Sequence, residues 1–184
     1  FMTLRDFFGG VEQFVLSREG AALKDIIPRV LDRDLRSEEI EGIIIRYEKY
    51  GTLYQICSVD VSVDGSIARM CASVAFSMPA KETLEREYDL LDQFEKRANF
   101  GCLPRIYKKD RIEVKKADQT ETLFAVLVEW FDGYEEWHFQ RREGSTRAFL
   151  WDMRAGYRFL SESQTADTIR QASCILTLYY DFES

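Results

Sequence analysis

This chain is poor in the residues that break, staple or metallate a fold. Only 3 Pro and 10 Gly occur among its 184 residues, which argues against long disordered linkers. A single His, His138, excludes a site built on several histidines. The four cysteines, Cys57, Cys71, Cys102 and Cys174, form no C-x-x-C pair and lack zinc spacing. Each lies among apolar neighbours, where free Cys acts as a small hydrophobe. That usage fits a reducing compartment, and a cytoplasmic location is expected. No apolar stretch nears the roughly 20 residues that cross a bilayer. Residues 1–20 carry charges throughout, so neither a membrane span nor a signal peptide is expected.

Positive charge is also scarce. The net charge of -7 speaks against a nucleic-acid binder, which needs clustered Lys and Arg. The densest basic stretch is Arg105, Lys108, Lys109, Arg111, Lys115 and Lys116. Asp110 and Glu113 interrupt it, and it reads as a solvated hairpin face.

What the chain does have is an ordinary globular composition: 46% hydrophobic and 31% charged residues. At this length roughly 70% of the unfolded surface can be buried, so no metal or disulfide staple is required. The hydrophobic period changes along the chain and divides it. Residues 1–38 read as a helical lead. Thr3 caps a short turn that Gly9-Gly10 should end, and Val11 to Leu16 fits either helix or strand. Arg18 to Leu35 has helical spacing, with Pro28 expected to kink or divide it.

Residues 39–139 read as strands around one helix. Gly42 to Lys49 carries the β-branched run Ile43-Ile44-Ile45. Cys57, Val59, Val61 and Val63 alternate strictly with Ser58, Asp60 and Ser62, the pattern of a half-buried antiparallel strand. Asp64-Gly65 is a hairpin turn signal, and Ile67 to Phe76 is the return strand. A helix over Glu82 to Ala98 opens at Met78-Pro79. Two short strands, Ile106 to Lys109 and Arg111 to Lys115, precede the most apolar strand, Thr122 to Phe131, which should be central. Residues 145–184 read as two helices, the last capped by Ser163. The fold class is therefore α+β: a mostly antiparallel five-stranded sheet, one helix packed on it, and helices at both ends.

One series of segments points further. It runs Tyr50-Gly51-Thr52, then Glu85-Arg86-Glu87-Tyr88, then Leu103-Pro104-Arg105, then Glu129-Trp130-Phe131-Asp132-Gly133. In order and spacing it resembles the small lobe of the kinase-like superfamily, in its aminoglycoside phosphotransferase and choline kinase group. The resemblance implies that Gly51 lies in the turn that covers the nucleotide phosphates. It implies that Glu87 is the helix carboxylate that pairs with a third-strand cation, and that Glu129, Trp130 and Phe131 form the hinge facing an adenine. Glu87 falls on the inward stripe of its helix, where a carboxylate needs a partner, or at the edge of that stripe in reach of solvent. Arg69 is the third strand's only cation. Alternation puts it opposite Met70, Val74 and Phe76, so it points away from Glu87 if that apolar face carries the helix.

No Asp/Asn catalytic loop follows the hinge. The resemblance thus implies a chain cut short in its large lobe and inactive by itself, with no cofactor of its own. ATP and Mg would enter only with a completed lobe. Catalytic and metal residues are expected to be absent. The alternative is a non-catalytic regulatory or protein-binding module. Its protein partner, or a second copy, would dock on the aromatic region Trp130 to Phe139. The ordinary reading of those aromatic residues, core packing where the sheet meets the C-terminal helices, is the favoured one.

Overall fold

In the structure, a computed structural model, residues 2–17, 21–50, 54–97, 103–116, 118–132, 137–141, 148–152 and 158–183 are described. The chain divides into two compact units, Phe1–Trp130 and Phe131–Ser184. The fold is α+β, as the hydrophobic pattern predicts.

The first unit begins with α1 (Leu4–Val15) and α2 (Ala21–Leu31). Thr3 caps α1 in a reciprocal box with Asp6. Contrary to expectation, Gly9-Gly10 does not end this helix, and Val11–Val15 continue it. The reason is packing. α1 lies along a sheet strand at Gly10, and a Cβ there would come 2.6 Å from Val114 Cγ2. α2 ends at Leu31, before the expected Leu35, and keeps Pro28 inside it; the expected start at Arg18 lies outside the described residues. Asp32, at φ 53°, turns the chain out of the helix.

The sheet strands are β1 (Ile40–Tyr50), β2 (Tyr54–Val63), β3 (Ser66–Ala75), β4 (Ile106–Lys116) and β5 (Gln119–Glu129), with α3 (Met78–Arg97) between β3 and β4. They lie in the order β1-β2-β3-β5-β4, and each pair is antiparallel. The most apolar strand, β5, is internal as expected. The basic stretch forms one strand rather than two, with a register shift between Ile106 and Lys108. The β2–β3 turn has positive φ at Asp64 (49°) and Gly65 (68°), as a type I′ turn demands.

Both sheet faces are covered over the centre. On one face Val59, Val61, Met70, Val74 and Leu127 meet Phe7, Val11, Phe14, Leu23 and Ile27 of the first two helices. On the other, Ala75, Phe124, Val126 and Val128 meet Ala80, Leu84 and Tyr88 of α3. The expected pairing of β3's strict apolar face with α3 is thus corrected. That face belongs to α1 and α2, because two helices with broad apolar stripes need the more continuous surface.

The second unit contains β6 (Trp137–Arg141), β7 (Ala148–Asp152), β8 (Arg158–Phe159) and α4 (Glu162–Glu183). The three strands form their own antiparallel sheet in the order β6-β7-β8. The expected helix through Phe149, Leu150, Met153, Tyr157 and Leu160 is corrected to strand at Phe149 and Leu150, which lie in β7; Leu160 follows β8, and Met153 and Tyr157 lie outside the described residues. The aromatic run Phe149-Leu150-Trp151 prefers a pleated surface, and its helical spacing was coincidental. α4 is capped by Ser161, not Ser163: Gln164 N–H donates to Ser161 Oγ (3.2 Å), and Ser161 N–H donates to Gln164 Oε1 (3.1 Å).

Candidate functional site

Strand alternation puts Arg69 on the same face as Cys71 and Ala75, which pack with α3. Arg69 therefore shares the α3 face with Tyr54, Asp60 and Trp130, rather than pointing away from that helix. Of the predicted nucleotide residues, Glu87 and Trp130 lie on this side, through Tyr54 and Arg69 respectively, whereas alternation along β5 turns Glu129 to the opposite face.

Its centre is a carboxylate. Asp60 is 4% exposed on β2, directly opposite Arg69 on β3. Arg69 donates to it twice, from Nε (2.6 Å) and Nη2 (2.9 Å), and Arg46 of β1 donates from Nη1 (2.7 Å). The Arg69 hydrogen bond is the main reason the Asp60 pKa falls below the usual carboxylate range. Burial opposes it and Arg46 assists. The Arg69 guanidinium also lies 5.9 Å from the centre of the Trp130 ring, a cation–π contact. Next to this group Ser58, buried, donates to Glu48 (2.6 Å).

Glu87 is exposed at the edge of the α3 stripe, and its partner is a phenol: Tyr54 Oη donates to Glu87 Oε2 at 3.2 Å. Burial and the Glu87 charge together raise the Tyr54 pKa. Beneath them Tyr88 is pushed up to about 12, chiefly by burial. Burial likewise pushes the Cys71 thiol up to about 11, so it is a poor nucleophile at neutral pH. The helix carboxylate and the third-strand cation thus share a face but not a bond.

At the end of β5, Glu129 is tied to the loop before β4. Its N–H donates to Arg105 O (2.9 Å), and its carboxylate accepts from Arg105 N–H (3.1 Å). Trp130 is the last residue of the first unit; Phe131, 38% exposed, opens the second. Gly51 and Tyr134 lie outside the described residues. Sequence reasoning missed Asp60 and Arg46. The signal was available: a charged pair on the polar face of two neighbouring strands.

This face carries two guanidiniums, an indole and two tyrosines whose pKa values are raised chiefly by burial. Among the described residues no group of three or more His, Cys, Asp or Glu side chains could hold a metal ion. Three basic residues of β4 are engaged in packing and surface pairs. Lys108 donates to Phe14 O (2.6 Å) and Ser17 Oγ, Lys109 pairs with Asp89 (2.5 Å), and Arg111 lies 3.7 Å from Glu85. No described helix is long and apolar enough to cross a membrane. Comparison with protein-family models, with curated proteins and with solved structures found no match to this chain.

Proposed function

We propose that residues 40–130 act as a kinase-like small lobe whose α3 face binds a purine nucleotide. The observation that carries the reading is the strand order β1-β2-β3-β5-β4 with α3 inserted between β3 and β4. The same insertion puts the third-strand cation and the helix on one face, and Trp130 directly follows the end of β5. In this reading the Trp130 ring borders the base, and the Arg69 and Arg46 guanidiniums border its phosphates. One departure from the resemblance is that Asp60 of β2 holds the cation, where a helix carboxylate is expected. The described residues do not supply a ligand cluster for Mg, and no phosphoryl-transfer step is assigned to them.

The test is thermal denaturation with ATP, with and without Mg. A ligand at 100 times its dissociation constant stabilises a fold by about 2.7 kcal/mol. A rise in melting temperature that Trp130→Ala and Arg69→Gln diminish supports the reading. An unchanged melting temperature at saturating nucleotide removes it.

A further inference from the structure

We infer that β1 is a strand-addition edge and that its occupant is a second copy of this chain. The five-stranded sheet ends in β1 on one side and β4 on the other. Edge strands expose alternate N–H and C=O groups, and charged side chains are the usual guard against pairing.

β4 is guarded. A two-fold antiparallel partnership keeps each sheet face on its own side, so each register is centred on one residue that meets itself. Centred on Asp110 or Glu113, β4 sets those carboxylates against their own copies. Centred on Arg111 it opposes two guanidiniums, and centred on Ile112 it opposes Lys109 to Lys115 and Lys108 to Lys116. Each of these registers sets like charges directly across from one another, which is destabilising.

β1 has no such guard at its middle. Centred on Ile44, the partnership sets Ile44 against Ile44, Ile43 against Ile45 and Gly42 against Arg46. No like charges meet, and three of the five cross-strand pairs from Gly42 to Arg46 join β-branched side chains. Register shifts at Ile40/Gly42 and Tyr47/Lys49 bracket a regular ladder between them, and Gly42–Arg46 lies within it. Ile44 is 52% exposed at mid-strand, although this residue type is among those most often buried. Ile43 and Ile45 are partly buried against the core under α1 and α2, so pairing would extend that core across the junction. An isologous contact of this kind needs only one sequence that complements itself.

The experiment is light scattering over a dilution series, joined to cysteine cross-linking. The expected result is a mass that doubles with concentration, and loss of the dimer in Ile44→Lys, whose fold is checked by circular dichroism. Ile44→Cys should form a disulfide-linked dimer under mild oxidation. The unsubstituted chain and Ile67→Cys, an exposed isoleucine on β3 (61%), set the background. A monomer at every concentration, with Ile44→Cys no better linked than background, overturns the inference. So does a dimer that survives Ile44→Lys. These measurements are made without nucleotide, so their failure and the failure of the nucleotide reading are distinguishable.

Discussion

Arg69 and Asp60 face each other across β3 and β2, and the guanidinium grips the carboxylate with two hydrogen bonds of 2.6 and 2.9 Å. The carboxylate side chain is 6% exposed, while the Arg69 and Arg46 side chains are 41% and 49% exposed. Removing the acid therefore leaves two cations that can still reach water, and the loss is that of the charged hydrogen bonds.

Asp60→Asn should destabilise the first unit by about 1–3 kcal/mol, as expected for hydrogen bonds to a charged group. The effect has a pH signature. Arg69 first, then Arg46, lowers the Asp60 pKa below its unfolded value of about 3.9. Its stabilisation is complete above that value and is lost as pH falls through the lower folded pKa. Urea titrations of both proteins from neutral pH downward should converge below about pH 4. A constant difference across that range would contradict the assignment.

Neighbouring glycines of α1 should respond in opposite ways to alanine. At Gly10 the new methyl meets Val114 Cγ2 at 2.6 Å, so helix or strand must shift. Overpacking costs about 1–3 kcal/mol, more than the gain in helix propensity returns. At Gly9 nothing lies within 4 Å, and the substitution should stabilise by roughly 0.5–1 kcal/mol. Melting temperatures of the two single variants check both signs.

Gly65→Ala should cost about 1–2 kcal/mol, because an L side chain is strained at its φ of 68°. Asp64 beside it is held by Arg33 Nη1 at 2.7 Å and by Arg36 N–H at 3.2 Å, so the turn cannot relax freely into another type. Equilibrium denaturation measures the loss. An unchanged midpoint would mean that the hairpin accommodates a different turn.

Burial pushes the Cys57 thiol up to about 12, and Cys71 to about 11. At pH 8 both should resist alkylation in the folded protein, while the exposed Cys174 is modified. Peptide mapping after a brief iodoacetamide pulse, with and without denaturant, separates the three. Labelling of Cys57 before unfolding would contradict its placement in the core.

The strands of the first unit were legible because their period is unambiguous. Cys57 to Val63 alternates without exception, and Asp64-Gly65 admits one kind of turn. What could not be read was which layer covers which face. Met70 and Val74 announce a buried face, but the identity of the element above it depends on contacts far along the chain. That distance reversed the expected direction of Arg69. Gly9-Gly10 misled for a related reason: propensity argued for a stop, and the close approach of Val114 required the glycine inside the helix. The strands Trp137–Arg141 and Ala148–Asp152 were missed because short aromatic segments satisfy both periods. At the candidate site, Glu87 was legible as a residue needing a partner, but the partner was a phenol from another strand.

The first two helices have a practical bearing on any effort to trim this protein. Val11, Val15, Leu23 and Ile27 are the lid of a double-sided sheet, each no more than 1% exposed. A shortened version starting at Ile40 would lay bare Val59, Val61, Met70 and Leu127 together. Such a fragment should be recovered from insoluble material, and the smallest well-behaved piece has to keep both of these helices.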